Sequence, residues 1–194
     1  MTDISDRVRI DRTDVLSKHK YLLRLVTFHW HRSDGQWQEQ KREVYDKGNG
    51  AVILLYNRAR RSVVLIRQFR LPAFLNGYRE LLVEAAAGVL DGASPEERIR
   101  AEVEEETGYR VREVQHLFDA FMSPGAFTEQ LHFFAAEYDP DSRPGAGGGL
   151  AHEGEDIEVL ELPFDEAYAM IAGGQIVDAK TIMLLQWAKL NVFG

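Results

Sequence analysis

The sequence predicts an α/β (α+β) fold: a mixed sheet covered by helices, preceded by a small antiparallel β subdomain. Three observations carry that expectation. Runs of strand-forming residues recur in pairs separated by turn chemistry, one strongly capped helix interrupts them at residues 94–108, and two helical patterns close the chain. No repeat, heptad pattern or low-complexity tail competes with this reading.

Residues 21–47 read as two strands around the turn Ser33-Asp34-Gly35, the first rich in Leu, Val, Phe and Trp. A second pair, 50–56 and 62–69, flanks the basic turn 57–61, and Asn49-Gly50 marks the break before it. Residues 80–87 form a further strand candidate ending at Gly88. In 94–108, Ser94 with Glu97 fits a capping box, Pro95 suits the first helical position and Gly108 suits the stop. Strands resume at 111–121, 130–138 and 157–162, the last two separated by a Gly-, Pro- and acid-rich loop at 139–155. Helices at 164–171 and 179–190 complete the chain. The expected division is a β subdomain at 1–46 and a catalytic domain at 47–194.

Composition narrows the function. The chain of 194 residues has no cysteine, which removes disulfides, zinc–thiolate sites and cysteine nucleophiles and favours a cytoplasmic address. A formal net charge of −8 argues against nucleic acid as the main partner. No apolar run approaches the length of a membrane span, and the polar, acidic first residues lack the apolar stretch of a secretion signal, so no membrane partner is expected.

The chemistry concentrates on the 94–108 helix. Glu102, Glu105 and Glu106 stand at i, i+3 and i+4 and share one face, while Glu104 points away. Three neighbouring carboxylates repel one another, and a cation at that face reverses the effect. Oxygen ligands of this kind suit Mg²⁺ or Mn²⁺. A solvated acidic helix has the same spacing, so context has to decide between them. The six histidines, His29, His31, His132 and His152 among them, show no metal-ligand spacing, and no Ser–His–Asp arrangement is present.

The context is a family resemblance. From Gly88 to Tyr109 the chain resembles the Nudix box, G-x5-E-x7-R-E-U-x-E-E-x-G-U. Its second half, Glu102 to Tyr109, matches. In its first half Ser94 stands where the first glutamate is counted, the spacing is one residue short, and Ala101 takes the arginine position with Arg100 beside it. The stretches 41–50, 65–70, 122–125, Thr128-Glu129, 147–149 and 155–164 resemble the nucleotide-sugar branch of the Nudix superfamily over nearly the whole chain. Pro124 is also a mark of the related ADP-ribose-hydrolysing members.

The resemblance implies a Nudix-type α/β/α sandwich and Mg²⁺-dependent hydrolysis (Mn²⁺ as the substitute) of a nucleoside diphosphate sugar. GDP-mannose is the first substrate expected, giving GMP and mannose 1-phosphate. ADP-ribose is one alternative, and a non-catalytic nucleotide-sugar sensor is the other. Carried over by position, metal ligation falls to Glu102, Glu106 and the carbonyl of Ala87, with Glu105 and Glu155 as further ligands. Glu155 is also the expected general base, with Glu153 its rival. Arg70, placed with Gln68 on one strand face, is expected to grip the diphosphate, whereas Arg67 on the other face is expected in an ion pair. Tyr21, Lys41, Arg42, Glu43, Gly88, Glu129 and Lys180 are the remaining substrate-binding candidates. The resemblance also implies a homodimer in which N-terminal strands cross to the partner.

Overall fold

The computed structural model describes residues 3–194, apart from the side chain of Glu153, which lies outside the described residues. The chain divides into two compact units: the residues up to Asn49 together with Phe121–Gln130, and Gly50–Ala120 together with Leu131–Gly194.

The first unit is a three-stranded antiparallel sheet in the order β1-β2-β3, with β1 at Val8–Lys18, β2 at Leu22–His31 and β3 at Trp37–Asp46. The expected pair is present as β2 and β3. Strand β1 was not anticipated, because its side chains are mostly exposed and show no buried stripe. Its arginine-rich start is tied instead by stacking: Arg7 lies 4.3 Å over Trp30, and Arg9 lies 4.0 Å over Trp37. In the same unit Tyr45 meets Phe127 edge to face, and its N–H donates to the carbonyl of Ala126.

The second unit is built on a mixed sheet in the order β10-β5-β4-β9-β8. Its strands are β4 (Gly50–Asn57), β5 (Ser62–Gln68), β8 (Gln115–Phe121), β9 (Gln130–Glu137) and β10 (Glu158–Pro163). Strand β4 runs parallel to β9 and antiparallel to β5. Every residue of β4 is buried, as expected for a strand covered on both faces. Ala51, Ile53 and Leu55 join a core with Ile99 and Val103, and on the opposite face Tyr56 packs near Trp187 and Phe193. Helix α2 (Pro95–Glu102) covers the first face, while α3 (Phe164–Ala172) and α4 (Ala179–Asn191) pack from the C-terminal end of the chain.

One feature of the sheet positions the chemistry. Strands β4 and β5 pair only near their turn, from Leu55↔Val64 to Asn57↔Ser62. Beyond that they splay, and the segment expected as one strand fills the gap as two. β6 (Leu82–Glu84) pairs with β5, and β7 (Ala86–Val89) pairs with β4. The single strand expected to stop at Gly88 is therefore corrected. It breaks at Ala85, whose N–H leaves the ladder to donate to Thr181 Oγ1 at 2.7 Å, and it continues through Gly88. A short helix α1, Leu71–Leu75, was also not anticipated. It begins immediately after Arg70, so Arg70 lies beyond the end of β5 and not on the strand face assigned to it.

Candidate active site

Helix α2 starts as its sequence dictates. Ser94 Oγ accepts from the N–H of Glu97, and the Glu97 carboxylate accepts from Ser94, so the capping box is complete. The end differs from expectation. Val103–Thr107 forms a π-helical turn, closed by Gly108 at φ 76°. The wider turn receives two bonds from the glycine-rich loop: Gly148 N–H donates to the Glu106 carbonyl at 2.9 Å, and Gly149 N–H to the Glu105 carbonyl at 3.0 Å. These glycines stand at positive φ, and a Cβ on Gly147 would fall 2.5 Å from the Glu106 carbonyl oxygen. The loop thus satisfies carbonyls a helix end leaves unpaired, and it brings Glu155 to the same place.

The glutamates separate by environment. Glu106 is 2 % exposed and Glu102 5 %, Glu105 is partly exposed, and Glu104 turns outward to pair with Arg110 at 2.6 Å. Glu106 Oε2 accepts from the N–H of Ala87 at 3.0 Å, which ties the helix to β7. Glu102 lies so close to Gly88 that a Cβ there would fall 1.6 Å from Glu102 Oε1. Burial pushes the Glu106 carboxyl up to about 8, with repulsion from Glu102 next, and the Ala87 N–H only partly offsets them. Burial likewise pushes Glu102 up to about 7, opposed by Arg98 and reinforced by Glu105 and Glu155. Glu155 Oε2 accepts from Leu150 N–H at 2.8 Å, and a Cβ on Gly149 would fall 2.5 Å from that oxygen.

This donor set fits a hard divalent cation. Buried carboxylates that repel one another are stabilised by a shared positive ion, and oxygen donors are what Mg²⁺ takes. The hydrogen at Gly88 leaves the space in which the Glu102 carboxylate sits.

The cation that meets the glutamates is Arg98, which the motif comparison did not single out. Counting along the motif put the arginine position at Ala101, with Arg100 as its neighbour. In the structure Arg98 makes the ion pair with Glu102 and lies 3.6 Å from Glu105, while Arg100 donates to the carbonyls of Val111 and Arg112 on another side of the helix. The i,i+4 spacing from Arg98 to Glu102 was visible in the sequence.

A second charged cluster lies at the sheet split. Glu84, buried at the end of β6, accepts from Arg70 Nε at 2.7 Å and from Lys180 Nζ at 2.5 Å. Lys180 also donates to Asp178 at 2.8 Å, and Asp178 caps α4 through the N–H of Thr181. Lys180 is therefore a buried partner of two carboxylates and not a surface ion pair, while the Arg70 guanidinium stays 42 % exposed. Attraction from Arg70 is among the influences holding down the Glu106 carboxyl. Glu84, Asp178 and Thr181 carried no signal of their own in the sequence. Arg67 forms the expected ion pair, with Glu158 at 2.5 Å.

Ala87, Gly88, Glu102, Glu105, Glu106, Glu155, Arg70 and Lys180 all belong to the second unit. Tyr21, Lys41, Arg42, Glu43 and Glu129 belong to the first. Lys41, Arg42 and Glu43 are exposed on β3, Tyr21 meets Tyr45 edge to face, and Glu129 pairs with Lys47 at 2.6 Å. Glu153, the alternative base, has its side chain outside the described residues. The histidines depart from expectation: His116 and His132 converge on Asp119, giving a candidate metal-coordinating cluster whose ligand atoms lie within 4.8 Å of one another.

Comparison with known proteins agrees with this geometry. A family model described as the GDP-mannose pyrophosphatase NudK N-terminal domain matches residues 7–45, and the NUDIX domain model matches residues 46–185. A protein named GDP-mannose pyrophosphatase from Pectobacterium atrosepticum is 56 % identical over 186 residues, covering 95 % of each chain. Proteins of the same name from Yersinia enterocolitica and Yersinia pestis are 52 % and 51 % identical, over 97 % and 98 % of this chain and 98 % and 96 % of their own. With the family model spanning most of its length and the carboxylate site built on the matching helix, the chain belongs to the Nudix family.

Proposed function

We propose that this chain hydrolyses the diphosphate bond of GDP-mannose in the presence of Mg²⁺, releasing GMP and mannose 1-phosphate. The observation that carries the chemistry is the convergence of Glu102, Glu106 and Glu155 beside Ala87 and Arg70, with Gly88 making room for the first carboxylate. The choice of sugar nucleotide rests on the names of the relatives.

Glu102, Glu106 and the Ala87 carbonyl hold the metal in this reading, and Glu105 or Glu155 adds a further oxygen. The Ala87 N–H points to Glu106, and an extended residue presents its N–H and C=O to the same side, so the Ala87 carbonyl faces the carboxylates too. A Mg²⁺ held there, or Mn²⁺ in its place, would supply the positive charge that lowers the pKa of a water and offsets charge on the phosphate oxygens. Arg70, its Nε fixed by Glu84, presents the rest of its guanidinium to the diphosphate. Arg98 neutralises and orients Glu102. Glu155 accepts the proton of the attacking water, a role for which Glu153 in the same loop is the alternative.

Residues 47–194 act as the hydrolase domain. Residues 1–46 act as the dimerisation and substrate-contact unit, from which Tyr21, Lys41, Arg42 and Glu43 reach nucleotide or sugar, joined by Glu129. Lys180 contributes through Glu84. The apolar side chains of Ile10 and Val15 on β1, each 61 % exposed, support a second copy covering this unit. Light scattering of the full chain tests the dimer, and a fully active monomer contradicts it.

Product analysis on GDP-mannose, ADP-ribose and UDP-glucose tests the substrate. Preferred cleavage of GDP-mannose to GMP and mannose 1-phosphate is the expected result. Preference for ADP-ribose, or tight binding without product in Mg²⁺ and Mn²⁺, overturns it in favour of an ADP-sugar hydrolase or a sensor.

A further inference from the structure

A second ligand set lies away from the glutamate helix face and plays no part in the hydrolysis proposed above. His116 and Asp119 come from the edge strand β8 and His132 from its neighbour β9. His116 Nε2 lies 2.7 Å and His132 Nδ1 2.8 Å from the same oxygen, Asp119 Oδ1. His116 and His132 line an open cleft of about 520 Å³ together with Glu97, Arg100 and Phe134. His116 packs edge to face on Phe134 at 5.3 Å, which steadies the ring.

We propose that His116, Asp119 and His132 form a binding site for a transition-metal dication of the Zn²⁺ class, distinct from the carboxylate site. The donor types decide the class: two imidazoles and one carboxylate suit Zn²⁺, Ni²⁺ or Cu²⁺, whereas Mg²⁺ prefers oxygen alone. The distances are close to what such an ion needs. Metal–ligand bonds of about 2.0–2.1 Å place neighbouring donors roughly 3–3.4 Å apart, and here all three atoms fall within 4.8 Å. Each ring needs only the neutral tautomer that turns a lone pair inward. Water from the cleft would complete the coordination of such an ion. Arg100, a cation of the cleft wall, donates to the carbonyls of Val111 and Arg112 and lies 3.8 Å from Glu96.

The two sites cannot share one ion. His132 pairs across the sheet with Ala51, and Ala51 pairs on its other side with Gly88. Strand β4 thus stands between them, a separation of about 10 Å along the hydrogen-bonding direction. An ion at His116, Asp119 and His132 would staple the edge strand β8 to β9.

The test is Zn²⁺ titration calorimetry on the metal-stripped, tag-free full chain in excess Mg²⁺, which occupies the oxygen ligands. One Zn²⁺ per chain is expected, retained in the Glu102→Gln/Glu106→Gln variant and weakened at least about tenfold in Asp119→Asn and in His116→Ala/His132→Ala. Equal Zn²⁺ uptake by wild type and the double-histidine variant overturns the proposal, as does no uptake by wild type. Should the histidine variants fail to fold, Co²⁺ added to the Glu102→Gln/Glu106→Gln protein gives an independent reading. The visible bands of imidazole-bound Co²⁺ support the site, and the spectrum of hydrated Co²⁺ alone overturns it.

Discussion

Gly88→Ala separates the catalytic geometry from the stability of the fold. The substitution places a methyl group 1.6 Å from Glu102 Oε1 and 2.2 Å from its carboxyl carbon, whereas ordinary contact begins at 3.4 Å. Glu102 must therefore leave its position beside Gly88, taking its ion pair with Arg98 with it. The obstructing atoms belong to the end of a side chain, so the fold can yield at a cost of about 1–3 kcal/mol. The consequence for chemistry is larger, since misplacing a catalytic group by about 1 Å can cost roughly a hundredfold in rate. The assay pairs kcat/KM for GDP-mannose in saturating Mg²⁺ with urea unfolding. A fall of about a hundredfold with the fold retained is expected. A variant within twofold of wild type would refute the claim that Glu102 acts from beside Gly88.

Arg98→Ala should weaken Mg²⁺ activation about 10–100-fold, measured as the Mg²⁺ concentration at half-maximal rate, while Arg100→Ala should leave it unchanged. Lys180→Ala leaves Glu84 buried with one partner fewer and should cost about 3–5 kcal/mol in denaturant unfolding. The metal-free chain should lose stability as pH rises from 4.5 towards 8. Glu102 and Glu106 hold their protons to about 7 and about 8 in the fold, whereas the unfolded chain releases them near 4.5, so the unfolded state binds fewer protons across that window. Melting temperatures in a chelator should therefore fall with pH, Mg²⁺ should restore more of the loss at pH 8 than at pH 6, and Glu106→Gln should flatten the profile.

The sequence revealed what depends on local pattern. The buried strand at 50–56, the Ser94–Glu97 box and the Gly108 stop are set by nearby residues, and the structure has them. What it concealed depends on contacts distant in the chain. The break at Ala85 exists because Thr181, on α4, supplies an acceptor there. The π-helical turn is accompanied by backbone donors from Gly148 and Gly149. The partnership of Glu84 with Lys180, and the meeting of His116 with His132, likewise join residues that no local spacing relates. Arg98 is the intermediate case: its i,i+4 relation to Glu102 was readable, but counting along the motif drew attention to positions 100 and 101 instead.

The central claim is that Glu106, buried against Ala87, holds the metal that drives the cleavage of a nucleotide sugar. Glu106→Gln keeps the shape of the side chain and removes the charge. GDP-mannose hydrolysis by this variant, followed as GMP formed across a Mg²⁺ titration, tests the claim directly. A loss of roughly a hundredfold or more in rate, with an unchanged fold, is the predicted result. Wild-type turnover by the variant at the same Mg²⁺ concentration would contradict it.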